Sequence, residues 1–138
     1  MKPSVRQKSL IRALDANCNR AREGLRVAED VARFLWDDPA LLKRLKRLRH
    51  AVTQAEKSLL KSAKGRAAAR DVEKDLGRGT REKSEKKRSS PEDLLRANLK
   101  RAQEALRSLE EFSKLLGSPI CARFKKIRYE CYRVEESL

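Results

Sequence analysis

Cysteine and histidine are scarce. Cys18, Cys121 and Cys131 make neither an even disulfide set nor a metal-ligand spacing, and His50, the single histidine, cannot complete a zinc site. Five Gly and four Pro among 138 residues are too few for a loop-rich β-sandwich, and the aromatic and β-branched residues of a large sheet are sparse, aromatics making up only 4%. No run approaches the roughly 18 apolar residues that span a bilayer, and the first residues lack the apolar stretch of a secretion signal. The chain therefore reads as soluble, cytoplasmic and without a membrane partner. What remains is Leu, Ala, Glu, Lys and Arg, the vocabulary of helices, and the fold class is all-α. With 35 Lys and Arg against 20 Asp and Glu, the net charge of +15 favours anionic partners.

Apolar spacing divides the chain into two hairpins. Ser4 can cap a first helix reaching about Trp36, with an apolar centre of Leu14, Cys18, Ala21, Leu25, Ala28, Ala32 and Leu35. Asp38 and Pro39 give an N-cap and a first-turn proline for a second helix, with Leu41, Leu45, Leu48, Val52, Ala55 and Leu59 as its seam, ending within 60–63. Ser90, Pro91, Glu92 and Asp93 open a third helix that Gly117 closes. Ser118 and Pro119 open a fourth, with Ile120, Phe124, Ile127, Cys131, Val134 and Leu138 at the same spacing. One domain results: hairpins over about 5–60 and 91–138, and a connector over 61–90.

The hairpins are copies of one another. Residues 14–30 and 95–111 share nine identities in seventeen positions at an offset of 81, including Asn17/Asn98, Arg20/Arg101, Arg26/Arg107 and Glu29/Glu110. Beyond the turn the offset is 79, where residues 45–50 match 124–129 and Glu56 matches Glu135. Such a duplication predicts an antiparallel four-helix bundle about a pseudo-twofold axis, with helices roughly 40 to 45 Å long at 1.5 Å per residue. The axis leaves the oligomeric state open, since duplication can replace a homodimer or still permit one. Unmatched sequence in a symmetric scaffold is where a single asymmetric site is expected, and the connector is unmatched.

Asn17, Arg20, Asn98 and Arg101 fall inside or at the edge of the apolar arcs. A buried guanidinium needs a carboxylate or a bound anion, because desolvation of a lone charge costs several kcal/mol, on the order of a marginal domain's stability. Either Glu23, Glu29 and their repeat mates pair with these arginines, or the arginines line a phosphate pocket. The connector holds eleven Lys or Arg and five Asp or Glu; helix is expected over 64–74, followed by a loop. Asp71 and Asp75 beside Arg70 stand four apart, a helical spacing at which two carboxylates can share Mg²⁺, or simply face solvent. DLGRGT at 75–80 can cradle a phosphate with its amides and Arg78, or serve as a flexible linker. The basic run 83–88 suits nucleic acid, but aromatics to stack on bases are few and mostly at core positions. His50 and its mate Tyr129 read as packing residues, and the cysteines as small hydrophobes.

The segment LDANCNRAREGLRVAEDVARF at 14–34 resembles the small helical domain that precedes thiamine-phosphate synthase in some bacteria and also occurs alone. The likeness continues in order through 45–50, 69–77, 100–115 and 128–136. That family looks like a hydroxymethylpyrimidine-phosphate kinase unrelated to the ribokinase-like enzyme of the same step. The resemblance implies ATP-dependent phosphorylation, with Mg²⁺, of 4-amino-5-hydroxymethyl-2-methylpyrimidine phosphate to the diphosphate that thiamine-phosphate synthase consumes. With no barrel after Leu138, the chain is not expected to make thiamine phosphate by itself. On the matching positions the resemblance implies Arg20, Arg101 and Arg70 for catalysis, and Asn17, Arg26, Asn98, Arg107 and Gly77 for substrate and phosphate binding. Side-chain chemistry assigns Mg²⁺ to Asp71 or Asp75, both taken as candidate ligands, and the pyrimidine edge to Asn17 or Asn98. A noncatalytic helical partner of the synthase and a basic nucleic-acid-binding module are the competing readings.

Overall fold

The computed structural model describes residues 5–61, 87–117 and 119–138, and among these every regular element is helical. Helix α1 spans Val5–Asp30 and runs on through a π-helical turn, Val31–Leu35. Helix α2 spans Pro39–Leu59, α3 Pro91–Lys114 and α4 Cys121–Glu136. Two starts follow the caps expected from sequence: the Asp38 carboxylate accepts from the Leu41 N–H at 3.0 Å, and the Ser90 hydroxyl accepts from the Asp93 N–H at 3.1 Å. Each such cap contributes about 1 kcal/mol by satisfying a donor that the first turn leaves open. Gly117 ends α3 with φ of +64°, the left-handed conformation that glycine adopts without a side-chain clash. The start of α4 lies later than expected: Pro119 stands in a turn ahead of Cys121 and no side chain among the described residues caps the helix, while Ser118, the expected cap, lies outside them, as does Ser4.

The helices close a ring in which α1 packs on α2 and α3, and α4 packs on α3 and α2. The α1–α3 contact is the most extensive and is made by small residues, with Gly24 against the backbone of Asn98 and Ala102. Leu14, Cys18, Ala21, Leu25 and Ala28 are fully buried in α1, as are Leu45, Val52 and Ala55 in α2, Leu95, Leu99 and Leu106 in α3, and Phe124 and Cys131 in α4. Each Leu so buried contributes about 1.5 to 3 kcal/mol before entropy is charged against it.

Leu35 and Leu138 depart from the expected seams, being 58% and 37% exposed. In the π turn Trp36 N–H donates to the Val31 carbonyl, five residues back, so the turn winds in more residues than an α turn and the apolar stripe loses phase. Val31 and Ala32 stay buried while Phe34 and Leu35 rotate into solvent. Leu138 lies past the end of α4. The change of repeat offset from 81 to 79 falls at this same turn, so the first hairpin carries two extra residues there. No helix among the described residues is long and apolar enough to cross a membrane.

Candidate functional site

Asn17 and Asn98 are both buried, 7% exposed, at the α1–α3 contact. Each Nδ2 donates to the carbonyl four residues back, Ala13 at 2.9 Å and Leu94 at 2.8 Å. Arg20 and Arg101 correct the expectation of buried guanidinium groups: both are exposed, because Ala21 and Gly24, with their repeat mates, occupy the contact and leave the arginines on its outer shoulder. No ion pair forms at either among the described residues. Arg26 is exposed too, and Arg107 reaches Glu110 at 3.7 Å and Glu111 at 3.3 Å. Arg70, Asp71, Asp75 and Gly77 lie outside the described residues.

Two of the carboxylates expected to pair with Arg20 and Arg101, Glu29 and Glu110, instead bind an arginine of the partner helix in each hairpin. Glu29 accepts from Arg49 Nε at 2.6 Å and from its Nη2 at 3.1 Å, tying α1 to α2. Its repeat mate Glu110 accepts from Arg128 Nε and, at 3.0 Å, from Nη2, tying α3 to α4. This hydrogen bonding raises the pKa of both arginines. A second latch lies further along each hairpin. Arg22 donates to Glu56 at 2.9 Å in the first copy, and Gln103 donates to Glu135 at 2.7 Å in the second.

That second latch is where the copies diverge. Arg22 also donates to Asn19 Oδ1 at 2.6 Å, and the buried Asp15 and Glu56 complete an ionisable corner on the α1–α2 side. The matching positions in the second copy are Arg96, Lys100, Gln103 and Glu135, where Arg96 instead meets Glu92 at the surface. Sequence reasoning attended to identities and so passed over Asp15, Asn19 and Arg22; the signal that finds them is difference between copies. Burial, then the proximity of Glu56, pushes the Cys18 thiol well up, and burial pushes Cys131 up to about 12. At pH 8 a disulfide reagent is therefore expected to label Cys121, which is half-buried, and to reach Cys18 and Cys131 only on unfolding. Labelling of all three in native buffer would contradict this burial.

The pocket lies on the opposite side of the bundle. Between α2 and α4 opens a cavity of about 580 Å³ lined by Arg44, Arg47, Leu48, Ala51, Arg123, Lys126, Ile127, Glu130 and Val134. At the offset of 79, Arg44 pairs with Arg123, Arg47 with Lys126, Leu48 with Ile127 and Ala51 with Glu130, so the pseudo-axis runs through the cavity. Arg44 donates to Ser137 Oγ at 3.3 Å and Arg123 to Ser58 Oγ at 3.0 Å, one contact repeated by the symmetry. None of the residues expected to bind substrate lines this cavity. Among the described residues no three His, Cys, Asp or Glu side chains gather where they could hold a metal ion.

The model of the ThiD2 family matches residues 12–137. This chain belongs to the ThiD2 family. The ThiD2 match takes in both hairpins and the connector, and the segments at 14–34 and 100–115 that carry the resemblance fall within it. Among curated relatives, the chain is 38% identical over 129 residues to a thiamine-phosphate synthase of Rhodopirellula baltica, covering 94% of this chain and 34% of the relative. It is 40% identical over 133 residues to a thiamine-phosphate synthase of Gloeobacter violaceus, covering 96% and 37%. A thiamine-phosphate synthase of Synechocystis is 40% identical over 130 residues, covering 94% and 36%. This ThiD2 chain thus spans about a third of the length of the relatives it matches. No solved structure matches it.

Proposed function

We propose that this chain works in thiamine biosynthesis as a kinase that converts 4-amino-5-hydroxymethyl-2-methylpyrimidine phosphate to the diphosphate at the expense of ATP. The observation that carries the reading is the ThiD2 match over residues 12–137, a region that in its relatives forms part of chains named thiamine-phosphate synthase. In the proposed reaction a phosphate oxygen of the acceptor bonds to the γ-phosphorus of ATP, the bond from that phosphorus to the β–γ bridging oxygen breaks, and ADP leaves. The attacking oxygen is already ionised near neutral pH, so no base is required, and catalysis reduces to positioning and charge neutralisation.

Exposed cations suit that task. Arg20, Arg26, Arg101 and Arg107 lie on the outer sides of the two hairpins, with Arg70 assigned to the same role from the connector. The described residues supply no metal ligand set, and Mg²⁺ binding is assigned to Asp71 and Asp75 from sequence alone. The test is ADP release from ATP and Mg²⁺ with the pyrimidine phosphate, against controls with the unphosphorylated alcohol and with no acceptor. Turnover is expected only with the phosphorylated acceptor.

The second reading is a noncatalytic partner of thiamine-phosphate synthase. It draws on the same relatives, whose remaining two-thirds of chain this protein does not match. A folded sample that binds the synthase and releases no ADP would favour it.

A further inference from the structure

We propose that the α2–α4 cavity is a binding site for a small organic phosphate with a flat, apolar, amino-bearing body. At about 580 Å³ it lies in the range of small-molecule sites, and its composition separates into parts suited to such a ligand. Leu48, Ala51, Ile127 and Val134 supply an apolar surface. Arg44, Arg47, Arg123 and Lys126 ring it, and no carboxylate pairs with any of the four among the described residues. Four cations gathered with no carboxylate paired to them repel one another, and a phosphate group relieves that repulsion. Arg44 and Arg123 are already held by serine hydroxyls, which orient them without neutralising them.

Glu130 breaks the symmetry. Where the first copy has Ala51, the second has Glu130, which is bonded to Arg133 and adds one acceptor to an otherwise cationic cavity. A bare inorganic anion gains nothing from a carboxylate or an apolar surface, whereas an aminopyrimidine or adenine ring can stack on the aliphatic side chains and donate its amino hydrogens to Glu130. Both ATP and the pyrimidine phosphate of the proposed reaction have this chemistry, so the proposal rests on the kinase reading for its choice of ligands, and it seats that ligand between α2 and α4 instead of at Arg20, Arg26, Arg101 and Arg107.

Calorimetric titration at fixed ionic strength, without metal so that turnover cannot intervene, separates the sources: ATP, the pyrimidine phosphate and inorganic phosphate are each titrated into the full chain. The site predicts that one or both organic phosphates bind at least tenfold more tightly than inorganic phosphate. The Arg47→Ala/Lys126→Ala double variant should lose at least tenfold in that affinity, while Lys8→Ala, a change at an exposed lysine of α1, loses none. Circular dichroism melts confirm that the variants fold, and Arg44→Gln/Arg123→Gln provides a second pair if the first does not. Organic phosphates that bind the folded double variants as tightly as the parent, or that do not bind the parent, overturn the proposal. Turnover with unchanged KM values in the variants overturns the location and leaves the kinase reading intact; binding here without any turnover does the reverse.

Discussion

Truncating Glu110 to alanine is expected to destabilise the protein by about 3 to 5 kcal/mol, read as a lower urea midpoint with an unchanged slope. Its side chain is 4% exposed and that of Arg128 is 11% exposed, so neither charge can turn to water when the other is removed. After the change Arg128 keeps one hydrogen bond, to the Tyr132 hydroxyl at 2.9 Å, and a positive charge with no carboxylate in place. Arginine does not relieve this by giving up its proton. The companion experiment removes both partners. Glu110→Met with Arg128→Leu is expected to recover most of the loss, because the desolvation cost of both ions disappears along with their attraction. A single-variant cost below about 1 kcal/mol would place the pair among solvated surface bridges instead. Glu29→Ala should cost somewhat less, since Arg49 is 18% exposed.

Gly24→Leu should be of comparable severity, about 3 kcal/mol or more, for a reason that has nothing to do with charge. A Cβ at this position would stand 2.6 Å from the Asn98 carbonyl oxygen and 3.3 Å from the Ala102 nitrogen. Both are backbone atoms, so they yield only if α3 moves as a body. Alanine isolates the effect: in an exposed helix the change from glycine stabilises by about 1 kcal/mol, and here the clash should outweigh that gain and leave a net loss of about 1 to 2 kcal/mol. Thermal melts of the Ala, Val and Leu variants should fall in that order. A Gly24→Ala protein more stable than the parent would show that the two helices have room to spare.

Much of the fold is legible because apolar spacing reports burial directly. Leu14, Leu45, Val52, Phe124 and Cys131 occupy the positions that spacing assigns them, and the repeat pairs the elements correctly. The errors arise where a residue's environment depends on another helix. Arg20 lies at the edge of the apolar arc, and whether an edge is buried depends on how closely α1 and α3 approach, which Gly24 decides. Leu35 continues the spacing of α1, yet a π turn shifts the phase before it is reached. The cavity cations Arg44, Arg47, Arg123 and Lys126 read as ordinary surface charges on their own helices. Only the packing of α2 beside α4, whose larger facing side chains keep them from closing as α1 and α3 do, brings the four together. For the connector residues Arg70, Asp71, Asp75 and Gly77, sequence remains the sole source of the assignment.

The π turn at the tip of the first hairpin has a bearing on how this architecture tolerates change in chain length. An inserted residue within the Gly24 crossing would rotate everything after it by about 100° and turn the core outward. At Val31–Leu35 the surplus is instead wound into the wider turn, and Asp37, with φ of +49°, redirects the chain before Asp38 starts α2 in its proper phase. The second hairpin makes the same reversal with two fewer residues and a glycine. Insertions and deletions in this architecture therefore belong at the hairpin tips, where slack is taken up locally, and the helix crossings are where chain length is fixed.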